Sequence, residues 1–253
     1  MKILIFDIET SPHVSMHWGR WNENIQPEKT LAESHMICFA AKWHHSPQVI
    51  FRSEWDHGFD EMIKKMWKLL DEADAVVGFN SNKFDIKKVN TEFVRLGYGP
   101  PSPYHSIDLY AQAKKHFAFS SNRLKHLLKE LSLSPKLEEN SNIELWKEVC
   151  IDKKRSAQRR MQAYNIQDVK STEEFYDYLL GWITPHPNWG LYVDDVSQKN
   201  PICPNCGGHN LHKHKIRTTK VRKYRQYRCA DCGSYHRGRK NIGPKGTNNG
   251  VLS

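Results

Sequence analysis

The chain has 253 residues and a formal net charge of +10, and 38% of its residues are hydrophobic, which is enough for a medium domain joined to a small one. No apolar run approaches the roughly 20 residues of a membrane-spanning helix, and the first such run ends at Asp7, too early for a signal peptide. We therefore expect no membrane partner and a cytoplasmic location.

The predicted elements alternate along the first 180 or so residues. Strands are predicted over "KILIFD", "HMICFAAKW" and "PQVIFR", and the short polar "HHS" between the last two indicates a hairpin. Apolar residues at helical spacing then predict a helix over "FDEMIKKMWKLLDEA", followed by a short buried strand, "DAVVGFN", and a helix, "KFDIKKVNTEFVRLG", that stops at Gly97.

Three further helical segments are predicted after this point. They cover "SSNRLKHLLKELSL", with Ser and Asn as N-cap candidates, then "NIELWKEVC", and finally "KKRSAQRRMQAYNIQDVKSTEEFYDYLLGW" as one helix or two joined helices. Early strands, then alternating helices and strands, then a long closing helix predict an α/β layer fold.

The positive charge is concentrated near the end of the chain. Residues 197–253 contain 13 Lys or Arg and one acid, Asp231, whereas residues 1–196 are close to neutral. Aromatic, Cys and His residues are interleaved with these charges, which favours nucleic-acid binding over an ordinary solvated basic face. Residues 184–200 predict a linker between a domain over 1–183 and a small unit over 201–240, and residues 241–253 predict a disordered tail.

Four of the six cysteines form two C-x-x-C pairs, Cys203 with Cys206 and Cys229 with Cys232, and glycine follows each pair. This spacing fits a tetrahedral site for one structural Zn²⁺, and it is the pattern of an intracellular metal site, not of a disulfide framework. Nearby histidines are competing ligands, although four thiolates already complete the site: His209, His212, His214 and His236. The unit resembles a zinc ribbon.

The segment between the two cysteine pairs shows an approximate alternation, with Tyr224 and Tyr227 among Lys and Arg, and predicts a two-stranded hairpin. Its basic side chains suit phosphate contacts and its tyrosines suit stacking on bases, without a code for reading sequence. The residues expected to bind substrate here are Lys220, Arg222, Lys223, Tyr224, Arg225 and Tyr227.

Carboxylates recur at spacings that can bring them together. Asp7 and Glu9 are two residues apart on a predicted strand and so share one face. Tyr164 and Asp168 are four residues apart on a predicted helix and also share a face. Asp85 follows the strand and loop "VVGFNSNKFD". Taken singly, each has an ordinary structural explanation, such as a solvated strand end or a helix N-terminal acid.

Together, "FDIET", "GFNSNKFD" and "YNIQD" resemble the three motifs of the DnaQ-like 3′–5′ exonucleases, which have the RNase H-like fold. The Y-x-x-x-D spacing of Tyr164 and Asp168 is similar to that of the DEDDy subtype, found in the proofreading domains of family-B DNA polymerases. Those domains carry an early proline after "FD", whereas this chain has "IKKVN", so the resemblance implies a stand-alone relative. It extends over residues 1 to about 180 and implies a mixed sheet flanked by helices.

The resemblance also implies the chemistry. Asp7, Glu9, Asp85 and Asp168 would hold two Mg²⁺ or Mn²⁺ ions for phosphodiester hydrolysis, and Tyr164 would orient the attacking water. Flanking residues expected to contact the terminal nucleotide are Thr10, Phe79 and Asn80. The expected substrate is a nucleic-acid 3′ end, in single-stranded or frayed DNA. An exoribonuclease and a non-catalytic nucleic-acid-binding module are the alternatives, and the intact set of acids favours catalysis over the latter.

Overall fold

The computed structural model describes residues 1–19, 24–133, 143–192 and 201–243. Contacts divide the chain into two compact units: a first unit over Lys2–Tyr176, and a second unit that comprises Asp177–Ser253 with Met1. The domain, linker and tail boundaries at residues 183, 200 and 240 remain predictions.

The first unit is built around β1, the central strand of a mixed sheet. Its strands in the described residues are β1 (Ile3–Thr10), β2 (Val14–Ser15), β3 (Thr30–Ala32), β4 (Met36–Trp43), β5 (Val49–Ser53), β6 (Ala75–Gly78) and β7 (His105–Asp108). The five-stranded sheet has the order β5-β4-β1-β6-β7, and β2 pairs with β3 separately. β1 is antiparallel to β4 and parallel to β6, so both of its edges are hydrogen-bonded.

Helices flank this sheet. They are α1 (Glu54–His57), α2 (Phe59–Glu72), α3 (Asp85–Arg95), α4 (Leu109–His116), α5 (Leu124–Glu130), α6 (Ile143–Cys150) and α7 (Arg155–Leu179). A short 3-10 helix, Pro27–Lys29, precedes β3. None of the helices in the described ranges combines the length and the apolar composition that a membrane span requires.

The main core lies on one face of the sheet, against α2 and α3. The stripe of α2 predicted from its helical spacing is fully buried there, and its members are Met62, Ile63, Met66, Leu69 and Leu70. They pack with alternate residues of β1 between Leu4 and Ile8, and with Val89 and Phe93 of α3. Each such side chain contributes about 1.5–3 kcal/mol through burial, so this face fixes the orientation of β1.

The second unit contains a three-stranded antiparallel sheet. Its strands are β8 (Leu211–Thr218), β9 (Lys223–Cys229) and β10 (Tyr235–Asn241), in the order β10-β9-β8, here named the ribbon sheet. A 3-10 helix, Trp189–Leu191, adjoins the first cysteine pair, since the Trp189 amide donates to the Pro204 carbonyl at 2.9 Å. Asn205 anchors this region further by donating from Nδ2 to the Leu180 carbonyl at 2.8 Å.

Most predicted elements are confirmed, including the β4–β5 hairpin and the closing segment, which is a single helix of 25 residues. One prediction is wrong. The N-cap of α5 is Arg123, which makes no side-chain cap bond, and not a Ser or Asn. The hairpin predicted between the cysteine pairs is confirmed as β8 and β9. A third strand, β10, follows the second pair and was not predicted, because its polar sequence "YHRGRKN" has no apolar alternation and it is held by backbone bonds to β9. Residues 193–200 and 244–253 of the predicted linker and tail lie outside the described residues.

Candidate functional site

Carboxylates from β1 and α7 meet in the first unit. Ligand oxygens of Asp7, Glu9 and Asp168 all lie within 4.8 Å of one another, and these residues are named the acid cluster. Asp168 is buried and the other two are half-buried. Because like charges this close repel strongly away from bulk water, a cation between them lowers the energy. Oxygen donors of this kind fit Mg²⁺ or Mn²⁺.

The strand period explains why the two β1 carboxylates point toward α7. Alternate residues of β1 between Leu4 and Ile8 are in the main core, so Asp7 and Glu9 must lie on the opposite face of the sheet. Helix α7 contacts β1 on that face: Asn165 Nδ2 donates to Asp7 Oδ2 at 2.7 Å and to the Asp7 carbonyl at 3.2 Å. Asp168 lies three residues further along α7, close to one helical turn away.

Asp85 lies beside this cluster at the start of α3. Its Oδ1 accepts a hydrogen bond from the Ile8 amide at 3.3 Å, and the side chain is 5% exposed. Burial raises the pKa of the Asp85 carboxyl to about 7; the Ile8 amide opposes this shift and the Asp108 carboxylate adds to it. A cation placed near this carboxyl would favour its ionised form and so lower the pKa.

Asp108 shapes the loop that leads from β6 to Asp85. Its side chain caps α4 by accepting from the Tyr110 and Ala111 amides at 3.0 and 3.3 Å. The same carboxylate accepts from the Asn80 amide at 2.9 Å, and Asn80 has a left-handed φ of 61°. Asp108 therefore fixes the backbone of the loop that carries Asn80, one of the predicted nucleotide contacts.

A cavity of about 730 Å³ opens over the acid cluster. It is lined by predicted and unpredicted residues alike: Asp7, Ile8, Glu9, Phe79, Asn80, Lys83, Phe84, Asp85, Tyr110, Asn122, Arg123, Leu124, Lys125, Tyr164 and Asp168. All four predicted acids and Tyr164 thus face one space. Its cations, Lys83, Arg123 and Lys125, were not expected from the sequence, because their separation along the chain conceals that the fold brings them together.

The three predicted nucleotide contacts differ in position. Phe79 and Asn80 line the cavity, and Phe79 packs against Tyr110 with ring centroids 5.8 Å apart. Thr10 is not among the described lining residues; its carbonyl accepts a hydrogen bond from Trp146 Nε1 at 3.0 Å, which ties the end of β1 to α6. The structure therefore associates two of the three with the cavity.

Asn165 is a site residue that sequence reasoning missed. It is fully buried and holds Asp7 through the two bonds described above, while its own Oδ1 accepts no hydrogen bond within the described part of the chain. The available signal was its place between Tyr164 and Asp168 in "YNIQD", where an amide one residue from a candidate ligand is well placed to orient another.

Comparison with known proteins agrees with this architecture. A family model described as RNase_H superfamily matches residues 28–180, more than half of the chain. The chain belongs to the RNase H superfamily. No curated protein matches it. The matched region begins after β1, so Asp7 and Glu9 lie outside it, whereas Asp85, Tyr164 and Asp168 lie within it. Membership of the RNase H superfamily indicates a nuclease-type hydrolase that acts on nucleic acid.

This RNase H superfamily chain carries a second cluster of metal-ligand type in its second unit. Cys203, Cys206, Cys229 and Cys232 place their sulfurs within 4.8 Å of one another and are named the cysteine cluster. The Sγ–Sγ distances are 3.6 Å for Cys203–Cys232 and for Cys206–Cys229. A tetrahedron with Zn–S bonds of about 2.3 Å has sulfurs about 3.8 Å apart, so the cluster fits zinc and leaves no open position for catalysis.

Glycines make the two cysteine turns possible. Gly207 and Gly233 follow the cysteine pairs with left-handed φ values of 73° and 75°, a conformation that favours glycine. The Gly207 amide donates to the Cys203 carbonyl at 2.9 Å, and the Gly233 amide donates to the Cys229 carbonyl at 3.0 Å. These matching turns fold each C-x-x-C pair around a common centre.

The predicted substrate-binding residues of the second unit are spread over both faces of the ribbon sheet. Tyr224 and Tyr227, three residues apart on β9, point to opposite faces. Tyr224 is 7% exposed, and the Arg237 guanidinium lies 4.4 Å from its ring centroid. Lys223 and Arg225 lie on the same face of the sheet as Tyr227. Lys220 and Arg222 lie in the β8–β9 turn, where they line a small pocket.

Proposed function

We propose that the protein is a metal-dependent 3′–5′ exonuclease that hydrolyses phosphodiester bonds at the 3′ ends of single-stranded or frayed DNA. The observation that carries the proposal is the convergence of Asp7, Glu9 and Asp168 within 4.8 Å, beside Asp85 and Tyr164, at the wall of one cavity. The 3′–5′ direction follows from the resemblance of the three motifs to the DEDDy exonucleases.

The four carboxylates would repel an anionic phosphodiester, so they can take part in its hydrolysis only when they hold metal ions. Asp7, Glu9, Asp168 and Asp85 would hold two Mg²⁺ or Mn²⁺ ions; when bound, these would activate a water and stabilise negative charge on the leaving 3′ oxygen. Asn165 keeps Asp7 in place through its 2.7 Å hydrogen bond. Tyr164 would orient the water through its phenol hydroxyl.

The cavity also offers groups for the substrate itself. Lys83, Arg123 and Lys125 supply positive charge for the phosphates next to the scissile bond. Phe79 and the 40% exposed Phe84 supply aromatic surface for the terminal bases. Such contacts favour an unpaired end, because bases can stack on protein only after they leave the duplex.

The second unit adds a basic ribbon with structural zinc. In the described residues 201–243 the acid Asp231 stands among 11 Lys or Arg. A ribbon of this charge would hold nucleic acid near the active site and raise the local concentration of 3′ ends.

The test is cleavage of labelled single strands. With Mg²⁺ or Mn²⁺ we expect a 5′-labelled DNA strand to give a ladder of progressively shorter products, and a 3′-labelled strand to release labelled mononucleotide at once. Omission of divalent metal should stop both reactions. Asp168→Asn should be inactive, and Asp60→Asn, which neutralises an exposed acid on α2, should retain activity.

Other outcomes would change the proposal. Cleavage of RNA but not DNA would make the protein an exoribonuclease. Binding of both polymers without product in Mg²⁺ or Mn²⁺ would make it a binding module. Internal cuts that leave a 3′-labelled strand with long labelled products would contradict exonucleolytic action.

A further inference from the structure

The ribbon sheet has two chemically different faces. On β9, Tyr224, Gln226 and Arg228 lie on one face, and Tyr227 and Arg225 lie on the other. Directly opposed residues of antiparallel strands share a face. The strand pairs therefore place further residues on the same face as Arg228: His212, Arg217, Tyr235 and Arg237. We name this surface the Tyr235 face and the other one the Tyr227 face.

Tyr235 is the exposed tyrosine of its face. Its side chain is 47% exposed, in contrast to Tyr224, which is 7% exposed beneath Arg237. The Arg228 guanidinium lies 5.8 Å from the Tyr235 ring centroid, and the ring of His214 meets it edge-on at 5.2 Å. These neighbours hold the ring in place on the sheet while much of it stays open to solvent.

Among the described residues assigned to the Tyr227 face, Tyr227 and His236 carry rings, and both are less exposed than Tyr235. Tyr227 is half-buried and lies against β10 at Gly238, where an added Cβ would be 3.3 Å from Tyr227 Cε2. That face carries positive charge as well, in Lys213, Lys223 and Arg225. Charge alone therefore does not distinguish the two faces, and the exposed ring does.

The Tyr235 face matches an anionic polymer. Arg217, Arg228 and Arg237 all lie on it, and β8, β9 and β10 contain no Asp or Glu. Guanidinium groups bind phosphate through paired hydrogen bonds, and a tyrosine ring stacks on any base.

We propose that the Tyr235 face binds single-stranded nucleic acid, with a base stacked on Tyr235 and the flanking phosphates held by Arg228 and Arg237. A single strand is the fitting form because a base that stays paired inside a duplex does not offer its face to a protein ring. The proposal deepens the proposed function and rests on its nucleic-acid substrate, but not on catalysis. It moves the stacking role from Tyr224 and Tyr227 to Tyr235.

The first experiment measures binding to a closed circular single strand. A circle has no 3′ end for the cavity over the acid cluster, so its affinity reports binding elsewhere on the molecule. With the full-length, zinc-loaded protein and a fluorescein-labelled thymidine circle, we expect Tyr235→Ala to weaken binding about ten-fold and Tyr235→Phe to leave it within about two-fold. Affinity for a closed duplex circle should not change.

Tyr235→Leu is the companion variant. It keeps apolar cover over the sheet but has no π-face, so we expect it to bind as weakly as Tyr235→Ala. Wild-type affinity in both variants, with bound zinc and the melting temperature unchanged, would overturn the proposal. Equal weakening by Tyr235→Phe and Tyr235→Leu would also overturn it, since stacking would then not be the interaction that matters.

The second experiment uses matched charges on the two faces. Arg228→Gln with Arg237→Gln removes two cations from the Tyr235 face, and Lys213→Gln with Arg225→Gln removes two from the Tyr227 face. We expect the first pair to reduce the slope of log K against log salt by about 1.4, or about 0.7 per lost phosphate contact, and the second pair to leave it unchanged. Equal reductions would mean diffuse attraction and would overturn the assignment to one face.

Binding and cleavage can fail separately. If the Tyr235 variants lose affinity for the circle and the wild type cleaves no linear strand, the ribbon proposal stands and the exonuclease proposal falls. If linear strands are digested but the circle binds equally well to all Tyr235 variants, the exonuclease proposal stands and the ribbon proposal falls.

Discussion

The acid cluster and the cysteine cluster are held in place in opposite ways. The acid cluster lies on a sheet whose other face packs a large apolar core, with Phe6, Phe39 and Met62 fully buried. In residues 201–243 the buried hydrophobic residues are Cys203, Tyr224 and Cys229, and two of these belong to the cysteine cluster itself. The first unit thus has a large apolar core beneath its carboxylates, whereas the buried groups of the ribbon are mainly members of the cysteine cluster. We therefore expect the ribbon, but not the first unit, to depend on metal for its fold.

Among the tests of this comparison, zinc removal should have the largest effect. We expect a zinc-selective chelator, or Cys206→Ser, to unfold residues 201–243, because structural zinc supplies on the order of 10 kcal/mol in small metal domains. Hydrogen exchange should show loss of amide protection in β8–β10 and retention in β1 and β4. Cys150→Ser, a thiol of α6 outside the cluster, is the control. Protection that survives in zinc-free ribbon would contradict the comparison.

Substitution at the acid cluster should abolish activity without unfolding the first unit. We expect Asp7→Asn to lower the rate by at least about a thousand-fold, since metal binding supplies several kcal/mol of transition-state stabilisation. Tyr164→Phe, which loses only the group that orients water, should retain measurable activity. Rates in Mn²⁺ and thermal melting of each variant provide the measurement. Equal losses in the two variants would contradict the separate roles.

The raised pKa of Asp85 makes the folding stability of the protein depend on pH. Burial raises this pKa from an ordinary 3.8 to about 7, so ionisation costs folding free energy. The metal-free protein should therefore be most stable, with respect to this group, below about pH 4 and should lose that contribution as pH rises to about 7.

Asp85→Asn removes this cost. Above pH 7, without divalent metal, we expect the variant to be more stable than the wild type by up to a few kcal/mol, at about 1.4 kcal/mol per unit of pKa shift. Urea unfolding between pH 4 and pH 8 measures the difference in unfolding free energy between variant and wild type, with Asp60→Asn as the control. Addition of Mg²⁺ should make this difference smaller. If Asp85→Asn increased stability equally at pH 4 and pH 8, ionisation of Asp85 would not be the cause of the increase.

The smallest expected effect concerns Asn165. Asn165→Ala removes the 2.7 Å hydrogen bond to Asp7, so we expect a ten- to hundred-fold loss of activity, with more Mg²⁺ needed for half-maximal rate. High Mn²⁺ should restore part of the loss. An unchanged metal requirement alongside reduced activity would show that Asn165 supports packing of α7 and not the ligand.

The sequence alone located much of the first unit, because the relevant signals are local. The strand period placed Asp7 and Glu9 on one face, the helical period placed Tyr164 above Asp168, and both pairs line the cavity as expected. The C-x-x-C spacing likewise brought four cysteines together. Each inference needed only the geometry of one element and a few neighbouring residues.

Only the tertiary structure decided which distant groups share a space. Lys83 and Arg123 come from separate regions of the chain and share the cavity over the acid cluster, and no periodicity relates either to Asp7. In the ribbon, the strand period already separates Tyr224 from Tyr227, but the strand that brings Tyr235 beside Arg228 was not apparent, because backbone hydrogen bonds hold β10 without an apolar pattern. Local periods thus fixed where each side chain points from its own element, and long-range packing and strand pairing chose its neighbours.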